Sequence, residues 1–156
     1  RVTNPTPIDG LFGEFTDNAQ VVEDMEEAIR FYSDTLGLPK VFDMVLPKNL
    51  VNEIVGIPRD EEVRMTMFVK DKTPLVECLE YSIKGKTLAP VARPANLGLF
   101  MIAFETDDLA AQMEKVRENG FNILAGPIDV PDVAFSHVRS ITVSGPSGIM
   151  IELYQR

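Results

Sequence analysis

The sequence predicts an α+β fold made of two copies of one βαβββ module, and three observations carry that expectation. First, Val22-Glu23-Asp24-Met25-Glu26-Glu27-Ala28-Ile29-Arg30-Phe31-Tyr32 is echoed by Thr106-Asp107-Asp108-Leu109-Ala110-Ala111-Gln112-Met113-Glu114-Lys115-Val116. Second, each copy is followed by a strand-like run holding a glutamate, Val76-Glu77-Cys78-Leu79 in one and Ile151-Glu152-Leu153-Tyr154 in the other. Third, the apolar runs around these segments are short and alternating, as half-buried strands require. Asp24 and Asp108 are offset by 108 − 24 = 84 residues and Glu77 and Glu152 by 152 − 77 = 75, and the extra segment around 47–60 absorbs the difference. So long a period means a pair of modules and not a solenoid.

Residues 1–11 are polar, with prolines at 5 and 7 that cannot donate ladder hydrogen bonds, and read as an N-terminal arm. Module one then spans 12–81. Its first strand is expected near 12–22, after which Asp24 is a good N-cap with Glu27 completing something close to a capping box. Met25, Ala28, Ile29, Tyr32 and Leu36 share a helical face, and Gly37 supplies the stop. Val41–Leu46, Val63–Val69 and Leu75–Tyr81 follow as strands, with a short helical turn over 49–58. Lys84, Gly85, Lys86 and prolines at 90 and 94 mark a linker over 82–97. Module two, 98–156, repeats the order: a strand near 98–105, a helix from Asp107 or Asp108 to Asn119 stopped by Gly120, a strand near 121–125 and a Pro-containing loop. Strands near 136–143 and 148–155 complete it, joined by the turn Gly145-Pro146-Ser147-Gly148.

Composition bounds the partners. At 156 residues and 45% hydrophobic content the chain can bury a sizeable core. A formal net charge of −9 disfavours nucleic acid and anionic membrane surfaces, and no apolar run approaches the roughly 20 residues a membrane span needs. No segment resembles a signal peptide, and the single cysteine, Cys78, cannot form an intramolecular disulfide, so a cytoplasmic location is expected. The first residue is Arg and not Met, which suggests an upstream piece outside this sequence.

The segment Asp24-Met25-Glu26-Glu27-Ala28-Ile29-Arg30-Phe31-Tyr32-Ser33-Asp34-Thr35-Leu36-Gly37-Leu38, together with Gly145-Pro146-Ser147-Gly148-Ile149-Met150-Ile151-Glu152-Leu153, resembles the glyoxalase/bleomycin-resistance/extradiol-dioxygenase superfamily, also called the vicinal oxygen chelate fold. The likeness covers residues 12–156, read as a single domain. The resemblance implies a curved mixed sheet in each half, helices on the convex side and a ligand cavity lined by the concave faces. It does not imply a reaction, because one fold hosts many chemistries.

Relatives resembling this pattern commonly bind a divalent metal through one residue from the first strand of each module and a carboxylate from the last. Glu77 and Glu152 stand at the carboxylate positions, but the first-strand positions hold Asp17 and Met101 where a histidine is usual. A metal, if bound, would rest on Asp17, Glu77 and Glu152. A thioether beside hard carboxylates has no coherent metal preference, so a metal is disfavoured, and one histidine is too few for extradiol iron chemistry.

Other chemistry rests on His137, Glu77 and Glu152. His137 opens the strand before Glu152; a four-residue turn at 145–148 would pair Ile141 with Glu152 and put His137 on the same face, as an acid or base or as an ordinary strand-end histidine. Glu77 and Glu152 form either a proton-shuttling carboxylate pair or structural carboxylates satisfied by Arg64, Arg139 or backbone donors. Parity places Phe15 with Asp17, Phe135 with His137 and Met65 with Met67, while Phe100 and Phe104 oppose Met101 and pack under the helix. Phe15, Met65, Met67, Met101 and Phe135 are therefore the expected lining for an apolar ligand. The leading expectation is a small-molecule enzyme acting on an apolar or aromatic carbonyl compound, an isomerase or lyase, as a homodimer. The alternative is a metal-free protein that sequesters a drug or metabolite.

Overall fold

A computed structural model describes residues 17–47, 56, 61–71, 73–87, 94–131 and 138–156. The expected arm, most of the turn over 49–58, Phe15, Phe135 and His137 lie outside the described residues. The chain falls into two units, one of residues up to Ser33 with Gly37–Gly85 and one of Asp34–Leu36 with Lys86–Arg156.

The first unit has β1 (Asn18–Val21), α1 (Met25–Ile29), β2 (Lys40–Val45), β3 (Val63–Lys70) and β4 (Thr73–Tyr81). These strands form an open four-stranded sheet in the order β1-β4-β3-β2, parallel between β1 and β4 and antiparallel elsewhere. The second unit repeats the plan with β5 (Met101–Glu105), α2 (Leu109–Glu118), β6 (Asn122–Val130), β7 (Val138–Ser144) and β8 (Met150–Gln155) in the order β5-β8-β7-β6. The expected βαβββ order thus appears in both units, and each sheet is mixed.

One face of each sheet is committed to apolar burial. In the first, Phe68, Val76 and Cys78 are buried, and Tyr32 packs on them with its ring centroid 5.0 Å from that of Phe68. The Tyr32 hydroxyl donates to Gln20 Oε1 at 2.6 Å, giving a buried polar group the partner it needs. In the second sheet Ile141, Val143, Ile151 and Leu153 form the corresponding buried surface, with Leu109 and Val116 of α2 also in the core.

The two helices start alike and continue differently. Asp24 accepts from Glu26 N and Asp108 from Ala111 N, each at 2.9 Å, so both aspartates are N-caps. Helix α2 closes as a Schellman turn, with Gly120 at φ +81°, Phe121 N donating to Val116 O and Gly120 N to Arg117 O. Helix α1 instead passes into a π-type turn over Arg30–Thr35, and its closing bonds each reach one residue further, Leu38 N to Tyr32 O and Gly37 N to Ser33 O. That wider turn rotates the buried face. Phe31 and Thr35 are fully buried, whereas Ile29 and Leu36, expected on the core stripe, are only half-buried.

An ion-pair cluster on the helix side of the first sheet joins α1, β2 and β3. Arg64 donates to Asp43 Oδ1 at 2.9 Å and to Glu26 Oε1 at 2.7 Å, and Lys40 donates to Asp43 Oδ2 at 2.8 Å. The Arg64 hydrogen bond is the largest influence holding the Asp43 carboxyl well below the usual carboxylate range. A depressed carboxyl stabilises the fold above its unfolded value and loses that contribution as pH falls; exposure keeps the effect small.

Two sequence expectations need correction. Strand β6 does not end near 125 but runs through Gly126-Pro127 to Val130. It is an edge strand, where proline forfeits no ladder bond. Between the pairs Ala125↔Thr142 and Ile128↔Ser140 it also carries one more residue than β7, a bulge. The turn between β7 and β8 is likewise longer than four residues, because Ile149 belongs to it: Ser144 pairs with Met150, and Thr142, not Ile141, faces Glu152.

Gly126 sits at φ +93°, and a Cβ there would stand 2.6 Å from the Ser140 carbonyl oxygen. Gly126→Ala is therefore expected to lower the unfolding free energy by about 2 kcal/mol, from backbone strain plus the displaced β6–β7 ladder. Urea unfolding of the purified variant checks this, and an unchanged midpoint contradicts it.

Candidate functional site

Registry in the two sheets places the glutamates in equivalent frames. Across the first sheet runs the row Ala19, Glu77, Met67, Phe42, and across the second the row Ala103, Glu152, Thr142, Ala125. The offsets within these rows, 103 − 19 = 84 and 152 − 77 = 75, are those read from the sequence. Because β4 and β8 alternate, Val76 and Cys78, like Ile151 and Leu153, take the buried face, and each glutamate emerges on the other one.

The Glu77 face is apolar and soft. Met65 and Met67 lie on it half-buried, as expected, beside Phe42 and Tyr81 and over a small core of Leu46, Val63 and Leu79. Asp17 shares the strand parity of Ala19 and is half-buried, so two carboxylates meet on one face. Burial first, and the Asp17 charge second, push the Glu77 carboxyl above its ordinary value. Among the described residues no hydrogen-bond donor reaches the Glu77 carboxylate. Arg64, considered from the sequence as its partner, is engaged by Asp43 and Glu26 on the opposite face. The neighbouring Cys78 thiol is pushed up to about 12 by burial and then by Glu77, which leaves it an inert core group.

The Glu152 face is more polar. Met101 and Met150 are register partners, both half-buried, and the Ser140 hydroxyl donates to Glu152 Oε1 at 2.6 Å. Ser140 is the residue sequence reading missed. It occupies the place of Met65 in the repeat, since 140 − 75 = 65, and only the corrected β7–β8 registry puts it on the Glu152 side. The same registry makes the even-numbered residues of β7 the neighbours of Glu152, so the pairing of Ile141 with Glu152 that placed His137 beside it does not occur. Arg139 is on the other face, its Nε 3.8 Å from Asp129 Oδ1.

Phe104 pairs with buried Leu153 on the helix side, opposite Met101, as its parity predicts. As for a metal, the first unit offers two carboxylates, Asp17 and Glu77, while the second offers a thioether and a carboxylate that accepts a hydrogen bond from Ser140. No group of three or more His, Cys, Asp or Glu side chains fit to hold a metal ion occurs among the described residues. These donors do not fit the divalent metal that the family resemblance implies, and no chemical step is routed through one.

The sequence profile of the Glyoxalase/Bleomycin resistance protein/Dioxygenase superfamily matches residues 15–153, and the chain belongs to that superfamily. Solved structures share the fold. A glyoxalase family protein from Bacillus cereus is similar at 18% identity and a TM-score of 0.78, over 94% of this chain and 96% of that one. TnmS3, an antibiotic binding protein from Streptomyces, is similar at 19% identity and a TM-score of 0.58, over 92% and 96%. The fosfomycin resistance protein FosX from Mesorhizobium loti is similar at 19% identity and a TM-score of 0.55, over 94% and 91%. No curated protein matches the chain in sequence. No helix among the described residues is long and apolar enough to cross a membrane.

A raised carboxyl binds protons more readily folded than unfolded. Its contribution to stability is full below the ordinary glutamate value of 4.5 and is lost as pH rises through the higher folded value. Glu77→Gln is accordingly expected to be more stable than the parent at neutral pH, with the gap closing in acid. Urea midpoints across a pH series measure this; equal midpoints at neutral pH contradict it.

Proposed function

We propose that this chain is a small-molecule enzyme of the superfamily, of the isomerase or lyase type, that moves a proton on an apolar or aromatic carbonyl substrate with Glu77 as its acid–base group. The observation that carries the reading is the Glu77 carboxyl itself: half-buried among thioethers and aromatic rings, next to Asp17, and without a hydrogen-bond donor among the described residues. A carboxyl raised in this way comes closer to the carbon acid it must deprotonate, and it holds the proton long enough to return it elsewhere. In the reaction the carboxylate removes a proton from the carbon next to the carbonyl, and the electron pair moves onto the carbonyl oxygen as an enolate. The proton then returns to a neighbouring carbon in an isomerase, or to the departing group in a lyase. Glu152, whose carboxylate accepts from the Ser140 hydroxyl, is the candidate catalytic carboxylate of the second unit. His137 remains a candidate acid or base, and Phe15 and Phe135 candidate lining residues.

Metal-free sequestration of a drug or metabolite is the second reading. It is favoured by the apolar lining of the Glu77 face, which would hold a ligand without transforming it. The cytoplasm is the proposed compartment and a homodimer the proposed assembly, the latter on the exposed apolar residues Leu124, Ile128 and Val130 of edge strand β6.

Screening carbonyl compounds for solvent proton exchange in deuterated buffer tests the enzyme reading. For any substrate found, Glu77→Gln is expected to cut kcat by about 10²–10⁴-fold while binding persists. Unchanged turnover removes Glu77 from the reaction, and tight binding with the ligand recovered unexchanged moves the assignment to sequestration.

A further inference from the structure

Among the described residues, no basic side chain is paired with the carboxylate of Glu77 or of Glu152. In the first sheet Arg64 and Lys40 are spent on Asp43 and Glu26 on the helix side, and Lys84 lies 3.8 Å from Glu80 after the end of β4. The residues in register with Glu77 are Ala19, Met67 and Phe42, and its neighbour along β4 on the same face is Leu79. Lys70 has the parity of Arg64 and Phe68 along β3, that of the helix side. It pairs with Thr73 at the exposed hairpin end, 77 − 73 = 4 residues along β4.

The second sheet follows the same rule with different residues. Arg139 is on the helix side by Asp129, and Arg156, past the end of β8, lies 3.4 Å from Glu105 and over the Tyr154 ring. Around Glu152 stand Ala103, Thr142, Met150, Tyr154 and Ser140. Two faces unrelated in detail therefore share one electrostatic character. Each sets a half-buried carboxylate among Met, aromatic or small polar side chains, with no protein cation paired to it among the described residues; Arg156, at the end of the Glu152 face, is taken up by Glu105 and the Tyr154 ring. A half-buried carboxylate of this kind favours a ligand that brings positive charge, and at Glu77 also the missing hydrogen-bond donor. Aromatic faces and thioethers suit the apolar body of such a ligand and tolerate its cation. The net charge of −9 acts in the same sense at long range, concentrating cations and repelling carboxylates and phosphates.

We propose that each of the two glutamate faces, taken by itself, binds an apolar or aromatic compound bearing a basic nitrogen, an amine or amidine protonated at neutral pH, and not an anionic metabolite. This rests on the proposed small-molecule reading and specifies its substrate class. The ammonium or amidinium group is hydrogen-bonded to a glutamate carboxylate while the ring packs on the methionines.

Three naphthalene probes of one shape and different charge test it on the full chain: naphthylmethylamine, naphthylmethanol and naphthoate. Binding is followed through the methyl NMR resonances of Met65, Met67, Met101 and Met150. The amine is expected to saturate these resonances with a Kd about tenfold or more below that of the alcohol, the range a charge-assisted hydrogen bond supplies. Naphthoate is expected to be the weakest, and added salt to narrow the differences. Glu77→Gln should erase the amine's advantage at Met65 and Met67, and Glu152→Gln at Met101 and Met150. Should either variant fail to fold, the three-probe comparison and its salt dependence on the parent protein decide alone. Equal binding of amine and alcohol, or tighter binding of naphthoate, overturns the cation assignment and leaves the enzyme reading standing. No response of the methionines to any probe overturns both, since the faces would then bind no aromatic ligand.

Discussion

Side-chain alternation along β4 and β8 is the constraint on which both glutamate faces depend. Each strand lies inside its sheet, hydrogen-bonded on both sides, and each has one face filled by fully buried residues: Val76 and Cys78 in the first unit, Ile151 and Leu153 in the second. With that face occupied, Glu77 and Glu152 have only the other face to occupy. A slip of one residue would carry each carboxylate under apolar cover and expose the core, so the registry is held by the cost of burying a charge as much as by the gain from burying Val, Ile and Leu.

Duplication has preserved the frame and varied what fills it. Ala19 and Ala103 flank the glutamates at equivalent positions, and Met67 and Thr142 face them at equivalent positions. Where the first unit has Met65, the second has Ser140, whose hydroxyl satisfies Glu152. Glu77 has no such donor among the described residues and has Asp17 for a neighbour, which with burial makes its ionisation costly. Equivalent positions of the repeat thus hold carboxylates in different surroundings, one raised by burial and a neighbouring charge and one bonded to a serine hydroxyl.

The helices show the same divergence at lower cost. Both keep an aspartate N-cap and a glycine at the C-terminal turn, yet α1 takes in one extra residue through its π-type turn and so brings Phe31, Tyr32 and Thr35 into the core together. That turn also sets Tyr32 within reach of Gln20, tying the helix to edge strand β1 by a buried hydrogen bond. An uninterrupted 3.6-residue period would not combine these contacts, which explains why the core stripe read by helical spacing differs at Ile29, Phe31 and Leu36.

The sequence by itself determined the module, its repetition and the faces of the two glutamates, because caps, glycine stops and period-two alternation are local signals between residues near in the chain. It also sufficed for the pairing of Met65 with Met67 on one face and of Phe104 against Met101. It was not sufficient for β6, where an edge position tolerates Pro127, or for the β7–β8 turn, where one residue, Ile149, decides which side chains face Glu152. Only tertiary structure decided that Ser140 is bonded to Glu152, that Arg64 belongs to Asp43 and Glu26, and that Glu77 keeps its carboxyl without a donor among the described residues. Those outcomes depend on strand registry and on competition among distant partners, and a one-residue shift in registry exchanges every neighbour across the sheet.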